Sequence, residues 1–258
     1  MQHIIKVSTS QGGLEKSGSE KAPESIVGEL KNIWTDSHGS EPKYELDEIK
    51  IDDETDLNKI HETIFKQAKG KTGIFLGGDH AITYSLFKAF ASSNKNAGLI
   101  IFDAHPDVYH MFNFVTHGDW VKYLIDEKII SPENIMIIGI RNADKKELAY
   151  LKEKKVNHIL MQNMSHDVED SCDAVMEFAN KFPSFYLSID IDVVDPAFAP
   201  GTGYPEPCGM TSRELLYFVQ RLKLLKGLKV ADIVEVNPRW DVNNMTSKLA
   251  AKILAELL

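Results

Sequence analysis

Residues 98–107 read GLIIFDAHPD, an unbroken apolar run that stops abruptly on Asp103, His105 and Asp107. A strand with one wet face alternates apolar and polar residues. A run that is apolar throughout fits a strand covered on both faces, as in parallel sheets flanked by helices. The pattern recurs along the chain: GIFL leads into Gly77, Gly78, Asp79 and His80, FYLSI into Asp190, Ile191 and Asp192, and KVADIV into Glu235. Strands are expected over 4–7, 44–51, 73–76, 98–102, 135–140, 156–161, 185–191 and 228–236, with amphipathic stretches between most of them. Because parallel strands need crossovers, eight strands separated mostly by helices predict an α/β chain with a largely parallel sheet covered on both faces. Helix ends are also legible. Thr211 followed by Glu214, ahead of LLYFV, reads as a capping box, and Asn243 or Asn244 is expected to cap the last helix, which ends in AAKILAELL. Gly12, Gly13, Ser17, Gly18 and Ser19 mark an early loop, and 193–209, with four prolines and three glycines, is too long for a plain turn.

With 258 residues, 43% hydrophobic and 26% charged, the chain fits a globular protein, and without repeat or linker a single domain over 1–258 is the economical expectation. No apolar run approaches the roughly 20 residues of a membrane helix, and the N-terminal MQHIIKVSTS lacks a basic stretch followed by a hydrophobic one, so a soluble, cytoplasmic protein is expected. Against 29 basic side chains stand 38 acidic ones, a net charge of −9. This balance disfavours nucleic acid and membrane partners and favours cationic ones. Cys172 and Cys208 lack metal-like spacing and fit a reducing compartment.

Ligands of open parallel sheets bind beyond the carboxyl ends of strands, which is where these polar residues fall. Asp190 and Asp192, two apart on a strand, should share a face about 6–7 Å apart. No Lys or Arg lies within eight residues of them, so two ionised carboxylates there call for another positive charge. The same alternation would bring Asp103, His105 and Asp107 together if the strand stays extended. Taken singly, a His after GGD is ordinarily a hydrogen-bonded loop residue, and a D-x-D is often a cap. Together, His80, Asp103, His105, Asp107, Asp190 and Asp192 form a natural two-metal set. Oxygen and nitrogen donors without thiolate favour Mn2+ or a similar ion over structural zinc, with Fe2+, Co2+, Ni2+ and Zn2+ also compatible.

GGDH (77–80), DAHPD (103–107), SIDIDVVDPAFAPGTGYPEP (188–207) and EVNP (235–238), in that order, resemble the ureohydrolases, the family of arginase, agmatinase, guanidinobutyrase and formiminoglutamase. The resemblance runs from about Gly12 to the C-terminus. It implies a three-layer α/β/α, arginase-like fold with a central eight-stranded sheet. It implies two Mn2+ ions per subunit, bridged by Asp103 and Asp190, with His80 and Asp107 on one ion and His105 and Asp192 on the other. Such a pair activates a water as nucleophile and offsets the charge that develops when it attacks a guanidinium carbon. By the same resemblance the catalytic set is His117, Asp107 and Glu235: His117, in VTHGDW, protonates the leaving amine, and Glu235 holds the guanidinium. A homo-oligomer, trimer or hexamer, is implied as well. His110 is at most a rim residue; His3, His38, His61, His158 and His166 read as surface or packing residues, and Asp195 as a turn residue.

For the substrate, the ten-residue step from Asp107 to His117 resembles agmatinases more than arginases. Tyr109, Asn113 and Val115 stand where arginases carry the Asn and Ser-x-Asn set that holds an α-carboxylate. Asp144 and Glu147 resemble the arginase carboxylates for the α-amino group, although a helix N-terminus favours acids there too. Tyr204 takes the place of a small Thr in GTGYP, and Cys208 the place of a usual Gly. The candidate substrate-binding set is Glu235, Asp144, Glu147, Tyr204 and Asn113. A small cationic guanidine such as agmatine comes first, arginine, free or peptidyl, second, and formiminoglutamate third, since the site motifs offer no basic anchor for a dianion. A two-metal phosphoesterase would need Lys or Arg near the site, where the motifs offer only Arg141 and Arg239. A non-catalytic homologue whose pocket Tyr204 blocks is the remaining alternative.

Overall fold

The apolar run over 98–102 forms a strand buried at every position, one of eight in a computed structural model that describes residues 2–14, 17–51, 55–109, 112–164 and 168–258. The strands are β1 (Gln2–Val7), β2 (Tyr44–Glu48), β3 (Gly73–Gly77), β4 (Gly98–Phe102), β5 (Ile135–Ile140), β6 (Asn157–Leu160), β7 (Phe185–Asp190) and β8 (Leu228–Val234). They make one sheet in the order β2-β1-β3-β8-β7-β4-β5-β6, with every pairing parallel. The four strands whose ends carry the candidate ligands, β3, β8, β7 and β4, lie side by side at its centre.

Each central strand feeds two cores by alternation. Ile100, Phe102, Leu187, Ile189, Ala231 and Ile233 face helices α1 (Ala22–Leu30), α7 (Val168–Ala179), α8 (Ser212–Lys223) and α9 (Met245–Leu257). Leu99, Ile101, Tyr186, Val230 and Val234 face α2 (Leu57–Ala68), α3 (Ile82–Ala91), α4 (Trp120–Asp126) and α5 (Lys145–Lys154). A short helix, α6 (Met161–Met164), follows β6. Burying each large apolar side chain stabilises the fold by roughly 1.5–3 kcal/mol, so the continuous runs read in the sequence hold three layers together. Among the described residues no helix is long and apolar enough to cross a membrane.

The Thr211–Glu214 capping box forms as expected at the start of α8. The last helix is capped differently. Asn243 and Asn244 are both left-handed, and the Asn244 side chain donates to Glu29 instead (2.7 Å). Asp241 accepts the backbone N–H groups of Thr246 and Ser247, both at 2.9 Å. Its carboxylate has two acceptor oxygens, so it satisfies two of the orphan donors at the start of α9 at once. Several strands are shorter than expected. β2, an edge strand exposed along most of its length, stops at Glu48, and β7 and β8 stop at Asp190 and Val234, where the site begins.

Candidate metal centre and active site

A local device holds each of the four central strand ends. After β3 the chain turns so tightly that a Cβ on Gly78 would lie 1.8 Å from the Thr9 carbonyl oxygen, which leaves room for glycine alone. The turn presents Asp79 and His80, both buried. Asp79 accepts the N–H groups of Ala81 (2.9 Å) and Gly12 (3.1 Å). The Gly12 carbonyl in turn accepts the His117 N–H (3.1 Å), so Asp79 ties the early glycine loop to the His117 backbone. Burial, with the Glu235 charge nearby, pushes the Asp79 carboxyl up to about 7.

After β4 the chain does not stay extended, contrary to the alternation expected for Asp103, His105 and Asp107. The strand ends at Phe102, and Asp107 takes a φ of 52°. The three side chains still converge, because Asp103 accepts the His105 N–H (2.7 Å) and the Trp120 indole donates to Asp107 (2.7 Å). Nor do Asp190 and Asp192 share a strand face. Asp190 ends β7 and accepts the Asp192 N–H (2.8 Å), which turns 191–193 into a 3-10 helix. Asp192 accepts the Ala104 N–H (3.1 Å). Carboxylates that satisfy backbone donors in this way contribute about 1 kcal/mol each, an option a straight strand does not give them.

The result is a cluster of acids around two imidazoles. His80 Nδ1 lies 3.0 Å from Asp103 Oδ2, 3.1 Å from Asp190 Oδ2 and 3.3 Å from Asp107 Oδ2. His105 Nδ1 lies 3.1 Å from Asp192 Oδ2 and 3.5 Å from Asp103 Oδ1. Asp103 thus turns one oxygen to each imidazole. Two groups could each hold a metal ion, His80 with Asp103 and Asp107, and Asp103 with His105 and Asp192. His80 Nδ1 and Asp103 Oδ2 are buried without a hydrogen-bond partner, and a divalent cation would satisfy both. Burial pulls both imidazoles down, yet the carboxylates around them push them far above the ordinary histidine range; a bound cation would displace that proton. The donor set, oxygen and imidazole without thiolate, fits Mn2+ and its neighbours.

Beyond β8, Glu235 adopts a φ of 62°, a conformation that costs a glutamate roughly 1–3 kcal/mol and that persists where the surroundings enforce it. Its Oε1 accepts the His80 N–H (2.7 Å) and lies 3.5 Å from His117 Nδ1. Burial pulls His117 down, but the Glu235 carboxylate, with Asp107 and Asp79 behind it, pushes it up to about 9.

Above the cluster is a cavity of about 210 Å3 whose wall includes Tyr109, Tyr204 and Glu147. The Tyr204 ring lies 5.4 Å from that of His117 and 6.0 Å from that of His105. No lysine or arginine is among the described residues lining this cavity.

Not every residue proposed for substrate binding reaches the cavity. Glu147 does, buried and accepting the N–H groups of Asp144 (2.9 Å) and Val108 (3.4 Å). Asp144 is exposed and caps α5, accepting the Lys146 N–H (2.7 Å), so of this pair only Glu147 lines the cavity. Asn113 lines a separate cavity of about 500 Å3 between α2, α3 and α4. Asp195 holds its turn through Ala197 and Gly209, and Arg141 donates to the carbonyls of Asp192, Val193, Glu206 and Pro207. His61 packs in the core, bonded to Ser85 and the Val115 carbonyl, and His158 bonds the Val156 carbonyl. His3 and His38 are exposed, and His110 and His166 lie outside the described residues. Sequence reasoning passed over Ser188 and Asp232, which back onto His80. Their signals were a serine two residues before Asp190 and a lone acid inside the apolar KVADIV.

The sequence pattern of the arginase family matches residues 2–258. The chain is 37% identical over 190 residues to proclavaminate amidinohydrolase of Streptomyces clavuligerus, covering 72% of this chain and 60% of that protein's length. It is 33% identical to agmatinase of Bacillus anthracis, over 83% of this chain and 76% of that one. It is 31% identical to formimidoylglutamase of Bacillus subtilis, over 99% and 85%. The crystal structure of formimidoylglutamase from Bacillus subtilis matches with a TM-score of 0.93 at 30% identity, covering 100% of this chain and 86% of that one. The solved structure of the Streptomyces clavuligerus proclavaminate amidinohydrolase matches with 0.89 at 30%, covering 99% and 89%. The chain belongs to the arginase family, the ureohydrolases.

Proposed function

We propose that the protein hydrolyses the guanidino group of a linear, agmatine-like cation to urea and an amine, with two Mn2+ ions held by His80, Asp103, His105, Asp107, Asp190 and Asp192. The observation that carries this reading is the pairing of an acid-rich cluster, in which His80 Nδ1 and Asp103 Oδ2 lack any hydrogen-bond partner, with a cavity whose described lining holds no lysine or arginine. When bound, the ions supply an activated water and counter the charge that builds up as the guanidinium carbon is attacked. The chain's own groups do the rest. Glu235, at the cavity floor, accepts from the planar guanidinium. This geometry suits a carboxylate, and charge-assisted bonds of this kind are about twice as strong as neutral ones. His117, 3.5 Å from Glu235, carries a proton at neutral pH and delivers it to the departing amine. Glu147 and the faces of Tyr109 and Tyr204 favour a cation at the far end of the substrate.

A second reading, formimidoylglutamate as substrate, is supported by the match to that Bacillus subtilis enzyme along nearly the whole of both chains. The absence of lysine and arginine from the described lining speaks against a dianion. The test is product release by Mn2+-loaded protein from agmatine, arginine, guanidinobutyrate, an arginine-containing peptide and formimidoylglutamate. Urea from agmatine above the others supports the proposal, and formamide from formimidoylglutamate alone overturns it. If no product forms while two metals are bound, the chain is a non-catalytic homologue or a phosphoesterase. A trimer or hexamer in solution, measured by light scattering, is expected.

A further inference from the structure

Asp232 lies in β8, fully buried, and no described lysine, arginine or histidine forms an ion pair with it. Its carboxylate accepts from three hydroxyls: Tyr186 (2.6 Å), Ser188 (2.7 Å) and Thr83 (2.8 Å). Ser188 is its partner across the β7–β8 ladder. Along β7 the side chains of Tyr186, Ser188 and Asp190 recur at intervals of two and so share one face. Tyr186 and Ser188 turn to Asp232, while Asp190 turns to His80.

The bookkeeping of hydrogens makes this network directional. Ser188 has one hydroxyl hydrogen, and Asp232, an acceptor, takes it. The Ser188 oxygen lies 2.9 Å from His80 Nε2 and has only lone pairs left to offer there, so Nε2 carries a hydrogen. The other ring nitrogen, Nδ1, then faces Asp103, Asp107 and Asp190 as the atom available to a metal. Were the Ser188 hydroxyl free to turn round, it could donate to Nε2, and the ring hydrogen would move to Nδ1, where it blocks ligation. Among the described residues His105 has no such backing. Its Nε2 lies 3.9 Å from Glu206 at the half-open rim, outside hydrogen-bond distance.

We propose that Asp232, acting through Ser188, is the positioning residue that fixes the His80 ring with Nδ1 presented to the metal, and so sets the affinity of the His80 site independently of the His105 site. The proposal rests on the two-metal reading of the cluster. Partners behind a metal-ligating histidine typically govern about 10–100-fold in metal affinity.

The test is calorimetric titration of Mn2+ into metal-stripped full-length chain, with thermal unfolding recorded on the same samples. Wild type is expected to bind two ions. In Asp232→Asn the amide can donate to Ser188 and reverse the relay, so one binding step should weaken about 10–100-fold while the other holds. Ser188→Ala should reproduce that loss and carries the test if Asp232→Asn does not fold; Ser188→Thr, which keeps the hydroxyl, should restore the wild-type constant to within about threefold. Tyr186→Phe removes a bond to the same carboxylate without touching His80, so it should lower the melting temperature and leave both constants in place. Unchanged metal binding in Ser188→Ala overturns the proposal. So does equal weakening in Tyr186→Phe, which would make Asp232 a plain stabiliser of the strand. Wild type that takes up no Mn2+ overturns the two-metal reading itself, and the relay with it.

Discussion

The floor and the rim of the cavity differ in what holds their side chains. On the floor, Asp103, Asp107, Asp190, Asp192 and Glu235 are each 7% exposed or less, and each accepts from at least one backbone or indole N–H. On the rim, Tyr109 and Tyr204 are 54% and 38% exposed. Floor residues follow strand ends, where burial and hydrogen-bond accounting leave few arrangements. Rim residues sit on loops, where burial constrains a side chain less. The proposed function accordingly puts the chemistry in the constrained region and substrate choice in the more exposed one.

The contrast breaks most sharply at Asp190. Asp190→Asn keeps the shape but removes a buried charge beside His80, and loss of metal and of urea release together is expected. Several kcal/mol of charge stabilisation vanish, on the order of 10³-fold in rate. Metal content by mass spectrometry and turnover on the same sample check it. A variant that keeps both ions and most of its rate would remove Asp190 from the cluster. His117→Asn is the next step down. It leaves the cluster in place, so both ions should stay while turnover falls about 10²–10⁴-fold, the usual worth of a positioned proton donor. Urea release at the wild-type rate would end its role as the acid.

The same division explains what could be read before any coordinates. GLIIF, GIFL, FYLSI and KVADIV announce the four central strands because a run buried on both faces has no other economical reading. The fold brings the residues named as candidate ligands into one cluster, but by a local geometry other than the extended strands expected for them. Glu235 leaves β8 in a left-handed conformation, Asp107 takes one in the loop after β4, and Asp190 caps a 3-10 turn. A period-two pattern cannot anticipate a carboxylate that bends its own backbone. Asp232 and Ser188 were missed because each looks inert alone; they acquire meaning when the ladder sets them opposite each other. At the rim, Asn113 and Asp144 were placed by resemblance, and the fold turns them to another cavity and to a helix cap.

Tyr204 tests whether the rim selects the substrate. Its ring stands over both His117 and His105, so Tyr204→Thr should widen the cavity and change relative rates across the guanidine panel by about tenfold, with metal affinity unchanged. An identical rate pattern in the variant would assign specificity to Glu147 and Tyr109 instead.

The smallest effect is expected at Cys208, and it compares floor and rim under the same strain. Cys208 has a φ of 64° and Glu235 one of 62°. At Glu235 the strain accompanies a buried carboxylate that accepts from His80, so relieving it with glycine would destroy the site. Cys208 is exposed. Cys208→Gly removes a left-handed penalty of about 1–2 kcal/mol, partly offset by the added freedom of glycine in the unfolded chain. A net gain of roughly 0.5–1 kcal/mol follows, a rise of about 1–4 °C in the melting temperature. No rise would mean that the turn is not strained. A rise together with altered relative rates would mean that strain at Cys208 helps hold Tyr204 over the cavity, and the rim would then share part of the floor's rigidity.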